Sequence, residues 1–167
     1  MKTRNVAMYG MLIALAFILS YIESIIPIPV PIPGIKIGLA NLVVITALYT
    51  MGAKQAFVLS MIRIILVGFT FGSPSTMMFS FAGGVLSWLL MVLAKRWKAF
   101  SMTGVSILGG MGHNIGQIIV AIIILKTSVL IYYLPFLIIS GLVTGAAIGM
   151  VGALITSKIE KVNVRKV

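Results

Sequence analysis

The sequence predicts an all-α, polytopic membrane protein with six transmembrane helices. Three observations predict this class: 60% of the 167 residues are hydrophobic, only 9% are charged, and the mean hydropathy is +1.20. A soluble domain is about a quarter charged, so this chain has too few charges to cover a surface exposed to water. The length fits about six spans of roughly 20 residues, which predicts a single transmembrane domain over residues 1–167.

Six apolar runs mark the expected spans. The first follows two basic residues, but it is long and no small-residue cleavage site comes after it, so we interpret it as a retained helix rather than a signal peptide. The second is short for a bilayer of about 30 Å, which predicts a tilted or partly re-entrant segment. The runs cover residues 6–26, 37–51, 56–71, 76–94, 102–125 and 129–156.

The basic residues concentrate on one side of these spans. Of the 13 Lys and Arg, ten lie on the side of the two termini, Lys36 and Lys126 lie on the other side, and Arg63 lies within the third span. Cytoplasmic loops carry the excess of Lys and Arg, so both termini are predicted to be cytoplasmic in a multi-pass plasma-membrane protein. The net charge of +11 is therefore interpreted as membrane orientation, not as a nucleic-acid surface.

A proline-rich segment follows the first span. Residues 26–34 read IPIPVPIPG, and proline at every second position forbids a helix and favours an extended, polyproline-like strip. This apolar strip lies on the outer side, where a solvated loop is normally polar. Two interpretations stay open, a stiff connector resting on the bilayer surface and a lid over an outward-facing pocket.

Arg63 is the charge expected deepest in the bilayer. It lies about nine residues from Lys54, hence roughly 13 Å into the membrane. A charge at that depth costs at least a few kcal/mol unless it faces a partner or a wet cavity. One interpretation is pairing with Glu23, the only carboxylate within a span, or with backbone carbonyls; the other is recognition of an anionic or carbonyl-rich ligand.

Span five carries three polar side chains at mid-membrane depth. His113 and Gln117 lie one helical turn apart, with Asn114 beside them, so they face protein or water rather than lipid. Hydrogen bonding between helices and ligand binding are both compatible with this cluster. With one histidine, no cysteine and two carboxylates in the chain, no metal site, no cofactor and no catalytic centre are predicted.

Small residues recur every four positions in two spans. Gly141, Gly145, Gly149 and Ala153 form a stripe on span six, which predicts close packing against another helix of the same chain. Gly10 and Ala14 repeat the spacing near the cytoplasmic end of span one. There the spacing predicts a docking surface for a partner protein.

Six short motifs between residues 33 and 114 form a recognisable series, and the resemblance that they carry covers about residues 7–149. They are PGIKIGLAN at 33–41, GAKQA at 52–56, SMIR at 60–63, FGS at 71–73, SFAGG at 80–84 and GHN at 112–114. Together they resemble the Gx transporter family, often labelled heptaprenyl diphosphate synthase component I. That family is grouped with the substrate-binding S components of energy-coupling factor (ECF) transporters.

The resemblance implies a compact six-helix protein that holds a vitamin-like ligand on the outer side. It further implies a cap after span one, a pocket built largely by spans four to six, and a small-residue motif on span one that meets a transmembrane coupling subunit. Gly10 and Ala14 match that motif, with Gly for the more usual Ala. ATP hydrolysis would come from partner subunits, since none of that machinery is encoded here.

The expected function is therefore that of an ECF-type S component, in contact with the lipid bilayer and with no nucleic-acid partner. The alternative is an accessory membrane subunit in prenyl-diphosphate, quinone or flavin-linked redox metabolism. Docking is assigned to Gly10 and Ala14. Substrate binding is assigned to residues from five regions of the chain: Arg63, His113, Asn114, Gln117, Asn41, Lys36 and Glu23.

Overall fold

A computed structural model describes residues 2–26 and 38–164, and all regular secondary structure in these ranges is helical. This confirms the predicted all-α, polytopic class. Five helices are long and apolar enough to cross a membrane, and one apolar helix is shorter. The helices are α1 (Lys2–Ile25), α2 (Leu39–Thr50), α3 (Ala53–Thr70), α4 (Pro74–Trp97), α5 (Met102–Leu125) and α6 (Leu134–Val164), with a 3-10 turn at Ser128–Tyr133.

Local sequence signals explain where α4 and α5 begin. Ser73 caps α4 through a reciprocal pair of hydrogen bonds: its hydroxyl accepts one from the Thr76 N–H, and the Thr76 hydroxyl accepts one from the Ser73 N–H. Pro74 occupies the first turn of the helix. Ser101 caps α5 by accepting from the Gly104 N–H. These caps satisfy backbone donors that a helix leaves without internal partners.

The bundle has two ends with different charge. Helices α1, α3 and α5 run toward the same end of the bundle, which we call the distal end. We call the opposite end the proximal end. The proximal end carries Lys54, Lys95, Arg96 and Lys98. There the Lys95 ammonium donates to the Leu48 carbonyl at 2.7 Å, which places a cation on the last turn of α2, where the helix dipole favours it.

Helix α2 lies inside the bundle. Seven of its 12 residues are buried, and none of the 12 is exposed. Its apolar side chains are distributed around the whole helix, which is typical of a helix surrounded by protein. At 1.5 Å per residue it is about 18 Å long, so the short second span predicted from the sequence is an internal helix.

Helices α4, α5 and α6 pack through glycine. A Cβ on Gly110 of α5 would lie 2.5 Å from the Gly141 carbonyl oxygen of α6, and a Cβ on Gly145 would lie 2.8 Å from Ile107 Cα. On the other side of α5, a Cβ on Gly116 would lie 2.7 Å from the Ala82 carbonyl oxygen of α4. The predicted use of the span-six stripe in internal packing is thus confirmed.

Candidate functional site

A cavity of about 420 Å³ opens at the distal end of the bundle. Its volume falls within the range of about 300–1,000 Å³ that is usual for small-molecule sites. Every helix contributes to its wall, since the lining includes Ser20 of α1, Asn41 of α2, Gly68 of α3, Thr76 of α4, Gly110 of α5 and Thr144 of α6. The site is therefore a product of the whole bundle and not of one helix pair.

Helix α3 and the turn after it supply six of the described lining residues, and α4, α5 and α6 together supply seven. Among those seven, only Thr144 comes from α6. The glycine contacts explain this small share, because α6 approaches α5 so closely that little space is left between them.

Arg63 is the cation in this cavity. It lies seven residues before the end of α3 at Thr70, hence about 10 Å below the distal end. Its Nε atom is buried and has no hydrogen-bond partner among the described residues. A buried donor without a partner costs about 1–3 kcal/mol, and a charged one costs more, so a ligand acceptor here would relieve a penalty already present in the fold.

Glu23 is the carboxylate in the same cavity. Its Oε1 accepts a hydrogen bond from the Gly38 N–H, at the left-handed residue (φ 79°) that precedes α2. The negative charge thus lies at the N-terminus of α2, where the helix dipole favours it. Glu23 lies close enough to Arg63 to act on it electrostatically, but no ion pair within 4.0 Å joins the two side chains in the described structure.

The three polar residues predicted on span five separate into two groups. His113 and Asn114 line the cavity, and the buried Asn114 amide also donates to the Leu137 carbonyl of α6 at 2.6 Å. Gln117 packs against α4 instead, with its Cγ 2.9 Å from the position of a Cβ on Gly83. For Asn114, hydrogen bonding between helices is therefore confirmed, while ligand binding by this group remains a prediction.

Asn41 joins Arg63, Glu23, His113 and Asn114 on the cavity wall. Lys36 and the proline-rich segment, including the predicted cap, lie outside the described residues. Five of the seven residues predicted to bind substrate thus share one cavity, although they come from four different helices.

Sequence reasoning missed the hydroxyl groups of the cavity. Ser20 and Ser24 of α1, Thr76 and Ser80 of α4 and Thr144 of α6 all line it. Serine and threonine are common in transmembrane helices, where they bond to their own backbone, so composition alone does not single them out. The i, i+4 spacing of Ser20 and Ser24, and of Thr76 and Ser80, was the available signal.

Gly10 and Ala14 lie far from the cavity, in the proximal half of α1. Both are exposed, and a Cβ on Gly10 would have no atom of the described structure within 4 Å. Neighbouring exposed side chains on this helix are apolar, including Val6 and Met11. The predicted docking residues therefore lie on a face of α1 that the described part of the chain leaves uncovered.

Comparison with protein families matches residues 12–155 to the family described as heptaprenyl diphosphate synthase component I. The chain belongs to this family. The match contains every lining residue described above, from Ser20 to Thr144, whereas Gly10 precedes it. No curated protein and no solved structure matches the chain.

For this member of the heptaprenyl diphosphate synthase component I family, the cavity offers binding groups of three kinds. They are one guanidinium, one carboxylate, and a set of hydroxyl, amide and imidazole groups. The described residues contain no group of three or more His, Cys, Asp or Glu that could hold a metal ion. Such a wall can orient a small polar molecule through charge and hydrogen bonds.

Proposed function

We propose that this chain is the substrate-binding membrane subunit of an ECF-type importer, and that it holds a vitamin-like small molecule in the distal cavity. The observation that carries the proposal is the cavity itself, with a buried Arg63 Nε that lacks a hydrogen-bond partner in the described structure. A buried arginine within a transmembrane helix is by itself a reason to propose a functional site.

The proposal includes an orientation in which the distal end faces outward. It rests on the excess of Lys and Arg at the proximal end. The chain contains no cysteine, so a single cysteine introduced by Lys126→Cys gives a clean probe. A membrane-impermeant maleimide should label this variant on intact cells; labelling that requires permeabilised cells would overturn the orientation.

The uncovered face of α1 supports a second part of the proposal, a transmembrane coupling subunit. Gly10 leaves room for a partner helix to approach the backbone closely, and small residues at such interfaces are what helix association in lipid requires. ATPase subunits would supply the energy for import. We propose a non-catalytic role for the chain itself, because Glu23 and Glu160 are its only carboxylates.

One observation favours a second function, an accessory subunit of a prenyl-diphosphate synthase. The family description refers to that enzyme. The two functions differ in what the protein retains on purification. An importer subunit should retain a small polar molecule, whereas an accessory subunit should retain a synthase.

The test uses the full chain purified from membranes, with the small molecules it retains identified by mass spectrometry. Arg63→Met should weaken binding of the retained molecule at least about tenfold, roughly 1.4 kcal/mol. Lys54→Met is the matched control, since it removes an exposed cation from the same helix outside the cavity. A folded Arg63→Met protein that binds its molecule as tightly as the parent would assign Arg63 a structural role and remove the main support for the proposal.

A further inference from the structure

We infer that the ligand of this cavity has two poles, an anionic group that Arg63 binds at depth and an ammonium or other N–H donor group that Glu23 binds near the mouth. The inference rests on the proposed function of the cavity as a small-molecule site and narrows its substrate class. The expected ligand is a zwitterion, or an anion that also carries strong hydrogen-bond donors.

The first support is that two opposite charges share the cavity without forming a close pair. Both residues line it, yet no ion pair within 4.0 Å joins them in the described structure. Glu23 lies two residues before the end of α1 at Ile25, and Arg63 lies seven before the end of α3. Phe71, just beyond the end of α3, packs on Phe17 and Tyr21 of α1, so Glu23 lies nearer the distal end than Arg63 and the two charges can bind different groups of one ligand.

The second support is the chemistry of the α1 wall, which presents acceptors. The Ser20 hydroxyl donates to the Ala16 carbonyl at 2.8 Å, and the Ser24 hydroxyl donates to the Tyr21 carbonyl at 2.7 Å. Because each hydroxyl has one hydrogen, both can offer only lone pairs to the cavity. Together with the Glu23 carboxylate, they make this wall suited to a group rich in N–H donors.

The third support lies on the facing walls. The Arg63 guanidinium has donors only, and it lies farther from the distal end than Glu23 does. Guanidinium groups match carboxylates and phosphates in geometry, so the anionic pole belongs at depth and the donor pole near the mouth.

The test uses probes of known structure on the full-length protein in detergent. β-Alanine, 4-aminobutyrate and 6-aminohexanoate place an ammonium and a carboxylate at increasing separation. Butyrate and butylammonium are matched probes with one pole each, at equal ionic strength. The readout is the shift in thermal unfolding temperature, followed by the fluorescence of Trp88 and Trp97, as a function of probe concentration.

One or more of the amino acids should raise the unfolding temperature as much as butyrate does, at a concentration at least tenfold lower. Glu23→Gln should abolish the stronger response to the amino acids and leave the response to butyrate unchanged. The amide oxygen of the new glutamine can still accept the hydrogen bond from the Gly38 N–H, so the start of α2 is preserved. Arg63→Met should abolish the response to butyrate and to the amino acids. Lys54→Met should change neither response.

Equal responses to butyrate and to all three amino acids would overturn the two-pole ligand, and so would an advantage that survives Glu23→Gln. If butyrate acts through Arg63 in such a case, the importer proposal stands and only the ligand class is lost. If no probe acts and no small molecule is retained on purification, both proposals fail.

Discussion

Helices α6 and α1 use the same spacing of small residues in opposite ways. Gly141 of α6 faces the backbone of α5 so closely that a Cβ there would lie 2.9 Å from the Gly110 carbonyl oxygen. Gly10 of α1 faces nothing within 4 Å in the described structure. A stripe of small residues thus indicates that another helix packs closely against it. It does not indicate whether that helix belongs to the same chain or to a partner.

One half of the bundle is packed backbone to backbone, and the other half has an open face. Helices α4, α5 and α6 approach one another through glycine. Helix α1 is held by side-chain contacts along its length, with Ala16 fully buried in the core. Near the distal end Phe17 and Tyr21 pack on Phe71, at ring-centroid distances of 5.5 and 5.6 Å. Near the proximal end the Tyr9 hydroxyl donates to the Gln55 carbonyl.

Gly110→Ala should have the largest effect. The added methyl group would overlap the Gly141 carbonyl oxygen, and backbone on both sides prevents a cheap rearrangement. We expect a loss of about 3 kcal/mol in the free energy of unfolding, at the upper end for overpacked interiors. Thermal unfolding in detergent measures it, with Gly10→Ala as the matched control. Equal stability of the two variants would break the comparison.

Asn114→Leu should have an intermediate effect. It removes the hydrogen bond from Asn114 to the Leu137 carbonyl while keeping a similar volume at the α5–α6 contact. Side-chain hydrogen bonds between membrane helices contribute about 0.6 kcal/mol on average and about 1.7 at most. We expect a loss in that range by the same assay. No loss at all would mean that glycine packing alone holds α5 to α6.

Gly10→Leu should have the smallest effect on the isolated protein. The new side chain enters open space, and leucine favours a helix more than glycine does by about 0.8 kcal/mol, so stability should be unchanged or slightly raised. Assembly with a coupling subunit should instead be lost, measured by co-purification. Met11→Leu, at a neighbouring exposed position, should assemble normally. Assembly of Gly10→Leu at the parental level would place the docking surface elsewhere.

The sequence was sufficient for the fold class because hydropathy and charge are properties of whole segments. The boundaries of α5, Met102–Leu125, agree with its apolar run, and α4 extends a few residues beyond its run at both ends. Arg63 and Glu23 could be singled out because charges are rare in spans. Both were assigned to one substrate site, and both line the cavity. That no close ion pair joins them could not be predicted, because it depends on how the helices pack.

Two features of the site were beyond sequence reasoning for physical reasons. Gln117 carries the same polar signal as His113, and both lie against Gly83 of α4, but of the two only His113 also lines the cavity. Ser20 and Ser24 resemble ordinary helix hydroxyls until their neighbours in space are known. Sequence periodicity predicts which residues share one face of a helix, but it does not predict which neighbours that face contacts.

The enclosure of α2 has a consequence for how the size of the cavity can vary. A helix that contacts lipid must match a hydrocarbon thickness of about 30 Å, whereas α2, with no exposed residue, is free of that requirement at about 18 Å. Its beginning, at Gly38 and Asn41, forms part of the cavity wall. One turn more or less there would shift this wall by about 5.4 Å, so the size of the binding site can evolve without any change in how the protein fits its membrane.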